Sequence, residues 1–478
     1  MRDYYTLKIN APGGILSPGT FRHVLALAQE AGVRDVRFGS RQQVLMTVHY
    51  EQLPALEKSL KTTSITYEIN TDQQPNIISS YCGEDVFRSG DWLRESEYHT
   101  ILDQLAFQPR LKINLSDAGQ SFTPFFTGHL NFIASPEPHF WYVYLRKPKT
   151  NAIFRWPELL YTNEIGRFAQ QMEERLTAEA DAWFLYETMD TSFITRPATQ
   201  EVELPEFSLP YYEGFNRYGS RSWLGLYSRE DWFSIAFLRE VCELCLRTRI
   251  GEICTTPWKS LIIKGIEEKD RLNWSYLLGK YAINVRHAAH ELAWQTEDHT
   301  TEGTTLKNYI RRHFEKLDIR TFGLCFGIQT RPKSEVFGSV LIRKRPWLQW
   351  GLFSLGTVYD LYVTEQYNPN SRQLIRVEKG LFKMHVPHQV ERICRQYTSK
   401  RHQPSPIALT LAEDRPAVPD PTVYECPHCL THYDERYGDA RQDIVAGTLF
   451  QALPAHYVCP TCEAPKTELQ AITKIVSA

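Results

Sequence analysis

A multidomain α+β fold is predicted for this chain, and three observations predict it. The 478 residues exceed the length of one ordinary domain. A strand–turn–helix–strand pattern near the start returns further along, which marks an internal duplication. Four cysteines in two C-x-x-C pairs mark a small separate domain near the C-terminus. A hydrophobic content of 42% and a charged content of 23% are those of a globular chain. The formal net charge of −2 supplies no field for nucleic acid or an anionic membrane, so neither is expected as a partner. The most apolar stretch, "WLQWGLFSLGTVYDLYV", is interrupted by Gln349 and Asp360 and falls short of a membrane span. "MRDYYTLKINAPGG" has no basic start leading into an apolar run, so a cytoplasmic location is expected.

The first unit is expected over residues 1–70. "YYTLKIN" alternates as a strand does, and "APGGILSPGT" is a turn-rich loop. "FRHVLALAQEAG" has apolar residues at helical spacing and stops at Gly32, and "VRDVRFGSRQQVLMTV" reads as a further strand. A weaker copy is expected over 208–270, in "SWLGLY", "FLREVCELCLRTRIG" and "EICTTPWKSLIIKGI". Setting Arg41 against Trp258 gives an offset of 258 − 41 = 217 residues, which suggests two similar halves facing one another. Larger α+β domains are expected over 71–200 and 271–398, the last part of which reads as a strand pair followed by a helix. Residues 399–422 hold five prolines and little apolar periodicity, the composition of a semi-rigid tether. The final domain is expected over 423–478.

"KINAPGGILSPGTF", "VRFGSRQQVLM", "GSRSWLGLY" and "GEICTTPWKSLIIKGI" resemble the sulfite and nitrite reductase family, and "QPRLKINLSDAGQ" resembles its basic-x-basic strand. The resemblance implies duplicated ferredoxin-like half-domains joined to larger α+β domains of the sirohaem-reductase type. In catalytic members a sirohaem and a four-iron cluster share a cysteine, and basic residues bind the anion. By position, Arg41, Arg110 and Lys112 are the candidates for binding an anion or sirohaem. Clustered guanidinium and ammonium groups suit an oxyanion or a tetrapyrrole carboxylate. Three solvated strand residues are the bland alternative.

The family's cluster cysteines, a C-x5-C-like pair followed by C-x3-C, are missing. "YAINVRHAAHELAWQ" stands near the first pair, and "FGLCFGIQTRP" offers Cys325 alone near the second. No 4Fe-4S cluster is therefore expected, nor a normal sulfite or nitrite reductase. His287 and His290 lie three apart without zincin spacing and read as core or surface residues. Cys242 and Cys245 fall in an apolar helical stretch and Cys254 on the next strand, where buried cysteine acts as a small hydrophobe. A metal-binding or redox-cycling helical C-x-x-C is the alternative. Cys82 and Cys394 are isolated.

The four remaining cysteines are Cys426, Cys429, Cys459 and Cys462. Two C-x-x-C loops facing each other present a tetrahedron of thiolates suited to one iron or one zinc. "VYECPHCLTHYDERYGD" and "GTLFQALPAHYVCPTCEAPK" resemble rubredoxin, down to Tyr424, the Tyr433–Asp434 and Gly438–Asp439 pairs, Leu453–Pro454 and Lys466. The resemblance implies one Fe(2+/3+) held by these four cysteines. Two departures stand out. Leu430 and Glu463 occupy positions where rubredoxins carry glycine, and Tyr457 stands where they carry tryptophan.

Together these readings predict an electron-transfer protein, with a rubredoxin domain on a reductase-like body without the cluster cysteines. Nitrite, nitrate or sulfite assimilation is the expected pathway, with a flavoprotein reductase upstream and a nitrite/nitrate or sulfite reductase downstream. A cluster-less oxidoreductase that still binds sirohaem, and a zinc-bearing binding or assembly factor, are the alternatives.

Overall fold

A computed structural model describes residues 3–401 and 423–472, except 64, 88–91, 151, 178–179, 190–191, 299, 318, 332–333, 351–352 and 372. The chain divides into two compact units, Met1–Thr398 and Ser399–Ala478. Of the expected tether, 399–401 belong to the helix Val386–Arg401, and 402–422 lie outside the described residues.

Within the first unit, the repeat is visible as geometry. The strands Tyr4–Ile9 and Val44–His49 and the helix Pro18–Glu30 reappear as Arg221–Leu226, Leu261–Ile266 and Ile235–Arg247. Each copy begins 217 residues after its original (221 − 4, 261 − 44, 235 − 18). The helix stop also repeats. Gly32 takes φ 77°, and its counterpart Arg249 takes φ 59°. The following amides reach back alike, Val33 N–H to the Ala28 carbonyl at 2.9 Å and Ile250 N–H to that of Cys245 at 2.8 Å.

Each half forms an antiparallel five-stranded sheet, and each sheet is completed by the other half. In chain-crossing order the first is Phe233–Ser234, Asp35–Phe38, Val44–His49, Tyr4–Ile9 and Tyr67–Ile69. The second is Gly214–Tyr218, Arg221–Leu226, Leu261–Ile266, Ile253–Thr255 and Ile15–Leu16. The two-residue strand ahead of each long helix thus covers an edge of the opposite sheet, where backbone groups would otherwise go unpaired. The two helices pack together over one apolar core that includes Phe21, Leu25, Phe237 and Val241.

One segment that reads as a single strand is a hairpin. In "VRDVRFGSRQQVLMTV" the chain turns after Phe38, Gly39 N–H donating to the Gln43 carbonyl at 2.8 Å and Gln42 N–H to that of Gly39 at 2.9 Å. Gln42 adopts φ 61°, and Lys259, 217 residues on, adopts φ 57°. The polar run Ser40–Gln43 makes the reversal, which alternation alone does not reveal.

The larger domains also echo one another. In one sheet Ile78–Ser79, Ile113–Ser116 and Leu130–Ala134 run parallel, then Phe140–Arg146 and Glu158–Tyr161 antiparallel. In the other, Trp294–Thr296, Phe326–Gln329 and Val340–Trp350 run parallel, then Phe353–Thr364 and Leu374–Leu381 antiparallel. A shared core runs through both, with Trp141, Trp258 and Phe326 fully buried.

The second unit is small. Val423–Glu425 pairs antiparallel with His432–Asp434 on one side and Gln470–Ile472 on the other. Its core is Tyr433, Tyr457, Leu453 and Leu469 together with Cys426 and Cys459. Tyr424 stacks on Phe450 at 3.7 Å between centroids, and Tyr433 meets Tyr457 edge-on at 5.6 Å. Among the described residues no helix is long and apolar enough to cross a membrane.

Candidate metal centre

The strand Val423–Glu425 delivers Cys426 to the first loop of the small domain, which closes by two backbone hydrogen bonds. Leu430 N–H donates to the Cys426 carbonyl at 2.9 Å, and Cys426 N–H to the Thr431 carbonyl at 2.9 Å. The second loop repeats this pattern. Glu463 N–H donates to the Cys459 carbonyl at 2.9 Å, and Cys459 N–H to the Ala464 carbonyl at 2.8 Å. Both loops need a left-handed residue after the second cysteine, and Leu430 and Glu463 supply it at φ 58° and 62°. Side chains rather than glycine therefore sit at the turns, at a cost of about 1–2 kcal/mol each in backbone strain.

The loops bring all four sulfurs together. Cys426 Sγ lies 3.5 Å from Cys462 Sγ, and Cys429 Sγ lies 3.4 Å from Cys459 Sγ. All four fall within 4.8 Å of one another. An ion bound at roughly 2.3 Å to four thiolates has sulfur–sulfur edges of about 3.8 Å, so the donor set fits one tetrahedral ion. Cys426 and Cys459 are buried, Cys429 is half-exposed and Cys462 is exposed. One edge of the site thus faces solvent.

Four sulfurs this close cannot all be thiolates without a cation. The Thr431 hydroxyl, 3.2 Å from Cys429 Sγ, with the neighbouring amide, holds Cys429 down to about 6. Cys462 receives the Ala464 amide, but burial and its three sulfur neighbours push it up to about 12. A bound cation removes this conflict by pairing with all four negative sulfurs. Thr431 in turn touches the Thr461 hydroxyl at 2.9 Å and so links the two loops. No spacing rule singles out Thr431. Its role follows only from the turn at Leu430.

The supporting frame has identifiable parts. Tyr457 O–H donates to Asp439 at 3.1 Å, which gives this phenol the polar partner it needs when buried. Lys466 caps the carbonyls of Leu453 at 2.7 Å and Gln451 at 3.2 Å. Gln442 donates to the Val458 carbonyl at 2.6 Å, next to the second loop. Gly438, at φ 65°, lies so near the Ile444 carbonyl that a Cβ would come within 2.4 Å of it.

In the body, two of the three candidate basic residues share one charged cluster that runs from buried Arg41 out to exposed Glu335 and Asp72. Arg41, 5% exposed, donates to the Asn76 carbonyl at 2.7 Å and the Ile113 carbonyl at 3.2 Å, while its Nη1 is buried without a partner. Lys112 pairs closely with Glu335 and lies 3.9 Å from Asp72, and Arg146 stands 3.8 Å from the same Glu335. Burial lowers the pKa of both Arg41 and Lys112, with nearby carboxylates opposing it. His129 accepts from Lys112 N–H at 3.1 Å, and burial followed by the charges of Arg146 and Lys112 brings it down to about 4. Arg110 is not in the cluster; it is 77% exposed and bound to Glu173 at 3.0 Å. The carboxylates of Asp72 and Glu335 come from distant segments and leave no trace in the local sequence.

Among the described residues, the other cysteines belong to no metal-ligating group. Cys325 is buried, receives the Ser339 N–H at 3.4 Å and is pushed up to about 12 by burial. Cys242 and Cys245 are buried on the helix Ile235–Arg247, Cys254 lies on the strand Ile253–Thr255, and Cys82 and Cys394 are buried too. His287 precedes the short helix Ala289–Leu292, so it shares no helix face with His290; its ring lies 2.6 Å from Glu213.

Comparison with known proteins matches both parts. The rubredoxin family model matches residues 423–469, and the nitrite/sulfite reductase ferredoxin-like half domain matches residues 1–62. The probable rubredoxin HupI of Bradyrhizobium diazoefficiens is 47% identical over 58 residues, 12% of this chain and 84% of that protein. The rubredoxin in the uptake hydrogenase operon of Azotobacter chroococcum is 42% identical over 53 residues, 11% of this chain and 74% of that protein. The NirA protein of Mycobacterium tuberculosis shares the fold at a TM-score of 0.62 and 14% identity, over 86% of this chain and 84% of that one. Through its C-terminal domain, carried on a body of NirA-like fold, this chain belongs to the rubredoxin family.

Proposed function

We propose that the protein is a one-electron carrier whose redox centre is an iron held by Cys426, Cys429, Cys459 and Cys462. The observation that carries this reading is the tetrahedral set of sulfurs, two of them buried and one exposed. Iron bound there supplies a ferrous–ferric couple. The residues do the rest. The four sulfurs keep one geometry because the paired loops fix them, so little rearrangement opposes transfer. The Thr431 and Ala464 amides direct hydrogen bonds at sulfur, the Thr431 hydroxyl sits against Cys429, Tyr433, Tyr457 and Leu453 keep water from the inner face, and Cys462 offers the outer edge to a partner.

Nitrite, nitrate or sulfite assimilation is the pathway we propose, with a flavoprotein reductase as donor and a reductase of those anions as acceptor. The body's half domain supports this reading; the tail by itself is compatible with any partner of suitable potential. The cytoplasm is the proposed location. Mixing the chemically reduced protein with ferric cytochrome c tests the carrier role. One electron per chain is expected from the intact protein and none from Cys459→Ala; undiminished transfer by the variant refutes it.

The buried unpartnered Nη1 of Arg41 favours a second reading, in which the body holds sirohaem or an anion. The donors fit a carboxylate-bearing ligand, since Arg41, Lys112 and Arg146 converge on Glu335, whose carboxylate holds the place of an anion. Cys325, which accepts the Ser339 N–H and is held neutral by burial, would be a poor ligand for such a group. Extraction of tetrapyrrole from the purified protein decides this reading.

A further inference from the structure

In the body, His313, His388 and Glu391 bring three metal-ligating atoms within 4.8 Å of one another. His388 and Glu391 lie three residues apart on the helix Val386–Arg401, so they share a face. His313 comes from the last turn of the helix Glu302–Phe314. His313 Nε2 lies 2.9 Å and His388 Nδ1 3.8 Å from the same oxygen of Glu391, Oε2. Imidazole and carboxylate ligands at roughly 2.0–2.1 Å from a tetrahedral ion stand about 3.3–3.4 Å apart, between those two distances. The imidazole rings meet edge to face at 4.4 Å and 76°, which brings the two histidines to the same side of the Glu391 carboxylate.

The carboxylate is held for this task. Arg395 Nε donates to the other oxygen, Oε1, at 2.9 Å, which turns Oε2 toward the histidines. His388 is 69% exposed, which gives an ion a path in and leaves a fourth position for water. Nitrogen and oxygen donors without sulfur select a late first-row divalent ion, such as zinc, over the soft-thiolate chemistry of the cysteine site.

We propose that His313, His388 and Glu391 form a second metal site, which takes one Zn2+ or a similar divalent ion and ties the last helix of the body to the helix Glu302–Phe314. This site is independent of the iron-carrier reading.

Cobalt titration of the full-length, iron-loaded protein tests it, because sulfur-bound cobalt shows an intense charge-transfer band that nitrogen- and oxygen-bound cobalt lacks. The expected result is one Co2+ per chain without that band, competed by Zn2+. Affinity should fall at least about tenfold in His388→Ala, a substitution at a 69% exposed side chain, and in Glu391→Gln. No cobalt beyond that showing the sulfur band, or equal affinity in His388→Ala, overturns the proposal.

Discussion

Two C-x-x-C pairs in this chain have the same spacing and opposite chemistry. Cys242 and Cys245 sit three residues apart on a helix, both buried, and burial raises both thiols, Cys242 to about 12. Cys426 and Cys429 sit on a loop whose chain turns left-handed at Leu430 and whose sulfurs face a second pair. The helical pair already has its backbone groups committed within the helix, and both side chains pack into an apolar core. The loop pair has the Thr431 amide and hydroxyl beside Cys429 and two opposing sulfurs. Spacing alone therefore does not make a ligand set; the backbone that carries it does.

The largest effect that would break this comparison lies in metal content. Cys426→Ser or Cys459→Ala should abolish the iron site, whereas Cys242→Ser with Cys245→Ser should keep one iron per chain. Elemental analysis of the purified variants reads both, and iron loss from the helical double variant would contradict the contrast.

Next in size is an acid sensitivity confined to the body. His129 is held neutral, near 4 in the folded state against 6.5 for an exposed histidine. The unfolded chain therefore binds the proton first, and stability falls as pH drops from about 6.5 toward 4. The loss is on the order of 3 kcal/mol at most. Denaturant unfolding of the body at pH 7 and pH 4.5 should show it, and His129→Gln should reduce the difference. A pH response unaltered in that variant would remove His129 as the cause.

Smaller effects sharpen the loop side. Leu430→Gly relieves a left-handed leucine that is 67% exposed, so little burial is lost. The small domain should gain about 1 kcal/mol, read as a higher denaturation midpoint for bleaching of the iron-bound form. Tyr457→Phe should lose about 1 kcal/mol by leaving Asp439 without its phenol. A destabilised Leu430→Gly would mean that the leucine contributes packing its exposure does not reveal.

Much of this was legible in the sequence, for physical reasons that differ by region. The 217-residue offset taken from Arg41 and Trp258 matches the starts of two strands and one helix in each half, because those elements carry the alternation and helical spacing that a sequence displays. The four cysteines were legible as a set because a metal site needs particular atoms at short range, and the fold brings their sulfurs together. What stayed hidden depends on chain segments that meet only on folding. The edge strands Ile15–Leu16 and Phe233–Ser234 have no signature of the sheets they complete. Glu335 and Asp72 neutralise Lys112 from far along the chain, and Arg110, two residues from Lys112, points instead to Glu173. The turn at Gln42 was hidden within a run that reads as one strand.

The most direct measurement is the visible absorption spectrum of the purified protein before and after reduction, with metal analysis of the same sample. A ferric-thiolate spectrum that bleaches on uptake of one electron, with one iron per chain in the cysteine site, is the predicted result. A colourless protein with zinc at the four cysteines would contradict the account.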